Sequence, residues 1–247
     1  MPLTAPPAVL KLLAHDLRWS LLLALSHSDS RVYELVTLLG EPVNLLSYHL
    51  KQLRAAGLVT AHRSEADGRD IYYSLNLDSL RQHLQAAGAA LHPTLTPQPL
   101  SLPSDLPPLS VLFLCTHNSA RSQMAEALLR HHTAGRLTVA SAGAEPTTLH
   151  PEAIRVMHTF GLDLTTHHPK HWQSFAGQSF DVVITVCDRA RESCPLFPAA
   201  RQLHWSFPDP ARLTNPAARS AAFESTAHQL EARIRHLLAT LVHQPAA

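Results

Sequence analysis

The chain has 247 residues, of which 45% are hydrophobic, and 20 Lys and Arg against 19 Asp and Glu give a net charge of +1. The length predicts two small domains, and the near-neutral charge excludes a protein that coats nucleic acid by charge alone. The longest apolar run, Leu21 to Leu25, is too short to span a bilayer. Residues 1–7 lack the pattern of a secretory signal, so we expect a cytoplasmic protein with no membrane partner.

A proline-rich stretch divides the chain. Six prolines fall between Pro93 and Pro108, and proline fits neither a helix interior nor an inner strand. We therefore predict a semi-rigid linker over residues 93–108. It separates one domain over residues 1–92 from another over residues 109–247.

The first domain is predicted to contain helices followed by a β-hairpin. Apolar residues recur at helical spacing in three segments: Val9 to Leu25, Val32 to Leu39 and Val43 to Ala56. Two short strands follow at 58–60 and 71–75, joined through Asp67-Gly68, and a last helix begins near Asp78. This order is that of a winged helix-turn-helix, a mainly α fold that binds DNA through its third helix and its hairpin.

Polar residues on the third helix and around the hairpin are the candidate DNA contacts. The helix positions are predicted to face away from Leu46, Leu50 and Leu53 and to meet base edges and phosphates. The candidate residues are Ser47, Tyr48, His49, Lys51, Gln52, Arg63 and Arg69.

The stretch from Ser47 to Val59, together with Leu10–Ala14 and Gly68–Tyr73, resembles the ArsR-type metal-responsive repressors over about residues 8–85. The resemblance implies a homodimer that binds operator DNA and releases it on binding an inducer. The segment matching the thiol sensor of arsenic-responsive members, Arg31 to Leu35, has no cysteine, and we predict no metal site. An alternative is a module that serves only for dimerisation.

The second domain alternates strands and helices. Apolar strands are predicted at 111–114, 137–139, 182–186 and 202–205, with helices from about Ser122, over 151–160 and over 220–242. This pattern predicts an α/β three-layer domain with a parallel four-stranded sheet, and ligands are expected where its strands end.

The loop from Cys115 to Ser122 follows an apolar strand and opens a helix. Backbone N–H groups and the helix N-terminus at such a turn form a concavity for a tetrahedral oxyanion, and Arg121 offers it a bidentate guanidinium. The same field stabilises a thiolate at Cys115. The alternative is a buried, inert cysteine. The predicted oxyanion-binding loop comprises Thr116, His117, Asn118, Ser119, Ala120 and Ser122.

This loop resembles that of the low-molecular-weight protein tyrosine phosphatase fold, over about residues 110–243. The resemblance implies that Cys115 is the nucleophile and Arg121 clamps the oxyanion, while Ser122 bonds the thiolate and Asn118 holds a left-handed turn. His117 stands where relatives often have glycine. Phe207–Ala211 resembles the loop of the general acid, which implies that role for Asp209.

Two further cysteines, Cys187 and Cys194, follow an apolar strand and a loop. With His204–Phe207 and Ser141–Gly143, they resemble the thioredoxin-coupled arsenate reductases. The resemblance implies a three-thiol relay that reduces arsenate, leaves a Cys187–Cys194 disulfide and uses thioredoxin as external reductant. Phosphate or sulfate can occupy the same loop, and no tightly bound cofactor is implied. A soft-metal site and two unlinked cysteines are the alternatives.

Some of these relatives hold a potassium ion behind the loop, at residues matching Asn118, Glu126, Ser141 and an aspartate. Lys170 stands at the position of that aspartate. An ammonium group at this point can replace the ion, and a solvated surface lysine is the alternative.

Taken together, the sequence predicts a DNA-binding regulatory domain of an arsenic-resistance system fused to an arsenate reductase. One alternative is a protein tyrosine phosphatase, although Ala211 stands where such an enzyme needs an aromatic residue. Another is a repressor whose second domain only senses oxyanions, against which the intact set of Cys115, Arg121 and Asp209 argues.

Overall fold

The computed structural model describes residues 6–92, 108–193 and 197–243. The chain divides into two compact units, Met1–Pro99 and Leu100–Ala247. The predicted linker lies outside the described residues except for Pro108. Among the helices of the described segments, none is long and apolar enough to cross a bilayer.

The first unit is a helical domain with a small antiparallel sheet, as predicted for a winged helix-turn-helix. Its strands lie in the order β1-β3-β2. Within its described part, the elements are α1 (Ala8–Leu13), α2 (Asp16–His27), β1 (Ser30–Arg31), α3 (Val32–Leu39), α4 (Val43–Ala55), β2 (Val59–Arg63), β3 (Ile71–Leu75) and α5 (Leu77–Leu91).

Two details of this unit differ from the sequence prediction. The helix expected through Val9 to Leu25 is broken into α1 and α2, because the His15 side chain accepts a hydrogen bond from the Leu17 N–H and caps a new helix. Strand β1 was not predicted, since two residues carry no periodic pattern; it forms by pairing Ser30 with Tyr73.

The second unit is built on a four-stranded sheet, as predicted. The strands lie in the order β5-β4-β6-β7, and all three pairings are parallel. Within the residues described, the elements are β4 (Ser110–Cys115), α6 (Arg121–His132), β5 (Thr138–Gly143), α7 (Pro151–Thr159), β6 (Phe180–Thr185), α8 (Asp188–Ser193), β7 (Ala199–His204) and α9 (Pro216–His243).

Strand β4 is buried on both faces, which explains its unbroken apolar sequence. Val111 and Phe113 belong to the larger core, which also holds residues of α6, α7 and α9. Leu112 and Leu114 face a smaller core that includes Phe180. Because β4 and β6 run parallel and are neighbours, their carboxyl ends bring Cys115 and the residues after Thr185 to one edge of the sheet.

Candidate functional site

Cys115 lies at the end of β4, where a five-residue loop leads to Arg121 at the start of α6. The Cys115 sulfur accepts a hydrogen bond from the backbone N–H of Asn118 at 3.0 Å and lies 2.9 Å from Ser122 Oγ. The N-terminus of α6 contributes partial positive charge at this point. These are contacts of the kind that stabilise a thiolate and a bound oxyanion.

The side chain of Asn118 holds the loop from behind. Asn118 is fully buried and adopts a left-handed φ of 47°, which few residues besides glycine tolerate. Its Nδ2 donates to Ser122 Oγ and to Ser141 Oγ, each at 2.8 Å. Its Oδ1 accepts from the Lys170 backbone N–H at 2.7 Å and from Gln123 Nε2 at 3.0 Å. The left-handed turn is therefore fixed by four side-chain hydrogen bonds, of which Asn118 donates two and accepts two.

Gly143, the last residue of β5, permits the close approach of the loop. A Cβ atom at this position would lie 2.5 Å from the Thr116 carbonyl oxygen and 2.8 Å from the Asn118 nitrogen. Both atoms are backbone, so neither can move without moving the loop. Sequence reasoning noted Ser141–Gly143 only as a resemblance and did not assign Gly143 a role, because nothing local reveals this contact.

A buried carboxylate lies behind Asn118. Glu126 is 2% exposed, and its Oε2 accepts from Ser141 Oγ at 2.6 Å and from Lys170 Nζ at 3.3 Å. Its Oε1 lies 2.8 Å from an Arg130 guanidinium nitrogen. Two cations and a hydroxyl thus surround a group that is costly to bury without partners. The ammonium of Lys170, whose side chain is 26% exposed, thus contacts the buried carboxylate behind the loop.

Arg121 and Asp209 meet across the loop. Arg121 is 5% exposed, and one guanidinium nitrogen donates to the Phe207 carbonyl at 2.7 Å. The other terminal nitrogen lies 3.5 Å from Asp209 Oδ2. The Asp209 Oδ1 accepts from the Ala211 N–H at 3.2 Å, which orients the carboxylate at the start of a short 3₁₀ turn. The predicted clamp and the predicted general acid therefore lie side by side.

Cys187 lies against the same loop. It is fully buried, its sulfur is 3.5 Å from Thr116 Oγ1, and the Ala190 N–H donates to that sulfur at 3.4 Å. Burial raises the pKa of the Cys187 thiol; the positive charge of Arg121 opposes this rise, and Cys115 adds to it. Both cysteines are free thiols. Cys194, predicted as the third thiol, lies outside the described residues.

The remaining loop residues are held by the segment that follows β5. The carbonyls of Thr116, His117 and Ser119 accept hydrogen bonds from the backbone N–H groups of Glu145, Thr147 and His150. The His117 ring is partly exposed and lies 3.8 Å from the Glu145 carboxylate. Ala120 is buried and precedes the first turn of α6. The absence of glycine in the loop therefore does not prevent it from closing around Cys115.

In the first unit, the candidate DNA contacts lie mostly on an open surface. On α4, Ser47, Tyr48 and Lys51 are exposed, and Gln52 is half-buried. Arg63 and Arg69 are exposed at the hairpin. Arg63 donates to the Gly68 carbonyl at 2.7 Å, and Arg69 pairs with Asp67 at 2.6 Å. The Asp67 carboxylate thus offsets part of the hairpin's positive charge.

The prediction that His49 faces DNA is wrong. His49 is 6% exposed, and its ring lies 4.4 Å from that of His15. The cause is helical periodicity, because position 49 falls on the same stripe as the buried Leu46, Leu50 and Leu53. Burial lowers the pKa of His49, and the charges of His15 and Arg18 act in the same direction.

Across the described segments, no cluster of three or more His, Cys, Asp or Glu residues is arranged to hold a metal ion.

Comparisons with known proteins match each unit separately. Residues 110–246 match the family described as low molecular weight phosphotyrosine protein phosphatase, and residues 15–61 match bacterial regulatory proteins of the arsR family. Arsenate reductase from Shouchella clausii is 35% identical over 132 residues, 53% of this chain and 95% of that protein. The arsenate reductase from Bacillus subtilis is 36% identical over 114 residues, 46% of this chain and 82% of that protein. A crystal structure of arsenate reductase from Archaeoglobus fulgidus covers 52% of this chain and 98% of its own at 29% identity, with a TM-score of 0.43. The resemblances to the arsR family and to the low molecular weight phosphatase fold are confirmed, while the three-thiol relay and its coupling to thioredoxin stay predictions.

Proposed function

Through residues 110–246 this chain belongs to the low molecular weight phosphotyrosine protein phosphatase family, and from that premise we propose that it reduces arsenate to arsenite. An ArsR-family helix-turn-helix precedes this domain in the same chain. The relatives named arsenate reductase, at about 35% identity, support the choice of reaction. Thioredoxin would supply the electrons as an external dithiol.

The first step forms a bond between sulfur and arsenic. The Cys115 thiolate attacks the arsenic of arsenate while Arg121 and the loop amides balance the charge of the oxyanion. Asp209 gives its proton to the departing oxygen, which leaves as water. Arsenic remains As(V) in this adduct.

The second step is the reduction. The Cys187 thiolate attacks the Cys115 sulfur, a disulfide bond forms, and the sulfur–arsenic bond breaks with its electron pair on arsenic. Arsenite then leaves as As(III). The Cys194 thiolate attacks Cys187, which frees Cys115 and leaves a Cys187–Cys194 disulfide for thioredoxin to reduce. Phosphate and sulfate can bind the loop, but neither readily accepts the electron pair.

One observation carries this proposal: a second free thiol lies against the oxyanion loop. Cys115, Arg121 and Asp209 would suffice for a phosphatase. Cys187 has no part in phosphate hydrolysis, yet its sulfur lies 3.5 Å from Thr116 Oγ1, next to Cys115 in the chain. A thiol within reach of the nucleophile is what a reductase requires.

The first unit is proposed to bind operator DNA as a homodimer. Its ArsR-family match and the exposed polar side chains of α4 support DNA binding. Thiols that must stay reduced and a domain that binds DNA require the same compartment, so we propose that the protein works in the cytoplasm.

We further propose that Lys170 takes the place of a monovalent cation, so that no tightly bound cofactor is needed. Its Nζ is 3.3 Å from Glu126 Oε2, and its backbone N–H bonds Asn118. Replacing potassium by sodium in the assay is expected to leave kcat and KM unchanged. Activation by potassium alone would contradict this role.

The reaction is tested by arsenate-dependent oxidation of NADPH in the presence of thioredoxin and thioredoxin reductase. We expect turnover with the wild-type chain, none with Cys115→Ser, and no more than one cycle with Cys194→Ser. No turnover with wild type would overturn the proposal. An aryl-phosphate assay would then separate a phosphatase from a repressor that only senses oxyanions.

A further inference from the structure

A buried polar cluster lies behind Cys187 and takes no part in the steps proposed above. It consists of Asp188, His204 and Ser206, which are 1%, 3% and 4% exposed. Asp188 follows Cys187 directly, and His204 is the last residue of β7. Ser206 stands three residues before Asp209. The cluster thus joins the chain next to Cys187 to the chain that leads to Asp209, the proposed general acid.

Hydrogen bonds of this cluster hold the chain on both sides of Cys187. The Ser206 hydroxyl donates to Asp188 Oδ1, and His204 Nε2 lies 3.2 Å from the same oxygen. The other ring nitrogen of His204 lies 2.8 Å from Thr185 Oγ1. Thr185 and Asp188 flank the two residues Val186 and Cys187. His204 therefore bridges the chain just before the thiol and just after it.

The segment that receives these contacts is itself anchored to the active site. The carbonyl of Phe207 accepts from Arg121, and the Arg233 guanidinium lies over the rings of Trp205 and Phe207 at 5.9 and 5.3 Å. A displacement of Ser206 would therefore also move the Phe207 carbonyl that binds Arg121. Asp188 connects Cys187 to a part of the protein that already contacts the oxyanion clamp.

Burying a carboxylate is costly, and an apolar side chain often gives equal or greater stability at such a position. What a hydrogen-bonded carboxylate adds is a defined geometry, since each contact has a preferred length and direction. Geometry matters at this point because Cys187 must approach the Cys115 sulfur along the line of the bond that breaks. A misplacement of about 1 Å in such a reaction can cost on the order of 100-fold in rate.

We propose that Asp188, acting through His204 and Ser206, is a positioning residue for the attack of Cys187 on the Cys115 sulfur. The role rests on the proposed arsenate reduction. In this role Asp188 acts through its contacts with Ser206 and His204, and it donates no proton. It sets where the Cys187 thiol lies when the new disulfide bond forms and the electron pair moves to arsenic.

The test separates oxyanion binding from sulfur transfer. Binding is followed as protection of Cys115 by sulfate against alkylation with iodoacetamide. Transfer is followed as release of arsenite after one equivalent of arsenate, without thioredoxin, with the disulfide located by mass spectrometry. The variants are Asp188→Ala, Asp188→Asn and Ser206→Ala. Asp181→Asn is the matched control, because Asp181 lies at the opposite end of β6 and bonds Ser110.

Asp188→Ala is expected to slow arsenite release by about 30-fold while sulfate protection stays within twofold of wild type. Asp188→Asn, whose amide oxygen can still accept, is expected to recover most of the rate. Ser206→Ala removes the hydroxyl that donates to Asp188 and should slow release about threefold, which keeps the test available if Asp188→Ala does not fold. The control should match wild type.

Equal rates in wild type and both Asp188 variants would overturn the assignment. Loss of sulfate protection in parallel with the rate would also overturn it, because the cluster would then support the whole site rather than Cys187. No arsenite release from wild type would instead refute the proposed reduction, and this assignment would fall with it.

Discussion

The oxyanion loop of the second unit and α4, the proposed DNA-recognition helix of the first, differ in how their polar side chains are held. Around Cys115 the polar groups are buried and bond one another, so that the Asn118 side chain alone makes four hydrogen bonds. On α4, Ser47, Tyr48 and Lys51 lie exposed. A loop that holds an oxyanion needs many fixed contacts, whereas a surface proposed to contact DNA can keep its side chains exposed to meet the partner. Substitutions at the oxyanion loop should therefore change the geometry of the whole site. Substitutions on α4 should each remove a single contact to DNA.

The largest effect is expected from Arg121→Lys. A lysine keeps the charge but loses the fork that donates to Phe207 and lies beside Asp209. We expect kcat/KM for arsenate to fall on the order of 10² to 10³-fold, the cost of removing an oxyanion donor. Steady-state kinetics in the thioredoxin-coupled assay measure it. Arg155→Lys, on the exposed face of α7, serves as control and should retain wild-type activity.

Gly143→Ala should act almost as strongly without removing any catalytic group. The added Cβ would lie 2.5 Å from the Thr116 carbonyl oxygen, so the loop must shift. Turnover is expected to fall on the order of 100-fold, the cost of a displacement of about 1 Å. Gly68→Ala is a matched control, since nothing lies within 4 Å of a Cβ there. Unchanged turnover in Gly143→Ala would show that the loop is less constrained than its contacts imply.

Lys51→Ala tests the recognition helix as a surface of separate contacts. Removing one phosphate contact should weaken binding to duplex DNA about fivefold whatever the DNA sequence and lower the salt slope by about 1. Titrations at several salt concentrations measure both. Arg81→Ala on α5 is the control, because Arg81 is paired with Asp78. A loss of binding confined to single bases would mean that Lys51 reads sequence instead.

The smallest effect is expected from His49→Leu. Because the pKa of His49 is lowered in the folded unit, the unfolded chain takes up a proton more readily, and the unit loses stability as pH falls below the ordinary value of 6.5. The variant should lose less stability on acidification, and its DNA affinity should stay within about twofold of wild type. Hydrogen exchange of the α4 amides between pH 7 and 5, compared between the two chains, measures the difference. A clear loss of DNA affinity in His49→Leu would contradict this and show that His49 contributes to DNA binding.

Features that depend on neighbours in the chain could be predicted from the sequence. Apolar periodicity located the helices of the first unit, apart from the break between α1 and α2, and the buried strands of the second. The position of Cys115 and Arg121 between an apolar strand and a helix indicated an oxyanion loop. The same periodicity places His49 on the buried face of α4. The prediction that it contacts DNA followed its polar residue type instead and was wrong. These features are local because hydrogen bonding and side-chain direction repeat along a helix or strand.

Which distant residues meet depends on how the chain folds in three dimensions. Gly143 against Thr116, Lys170 against Glu126 and Asp188 against His204 each join parts of the chain that no short pattern connects. The physical reason lies in the parallel sheet, whose strand ends converge on one edge although long crossovers separate them in sequence. Buried polar groups at that edge must find partners among whatever the fold brings near, and those partners define the site.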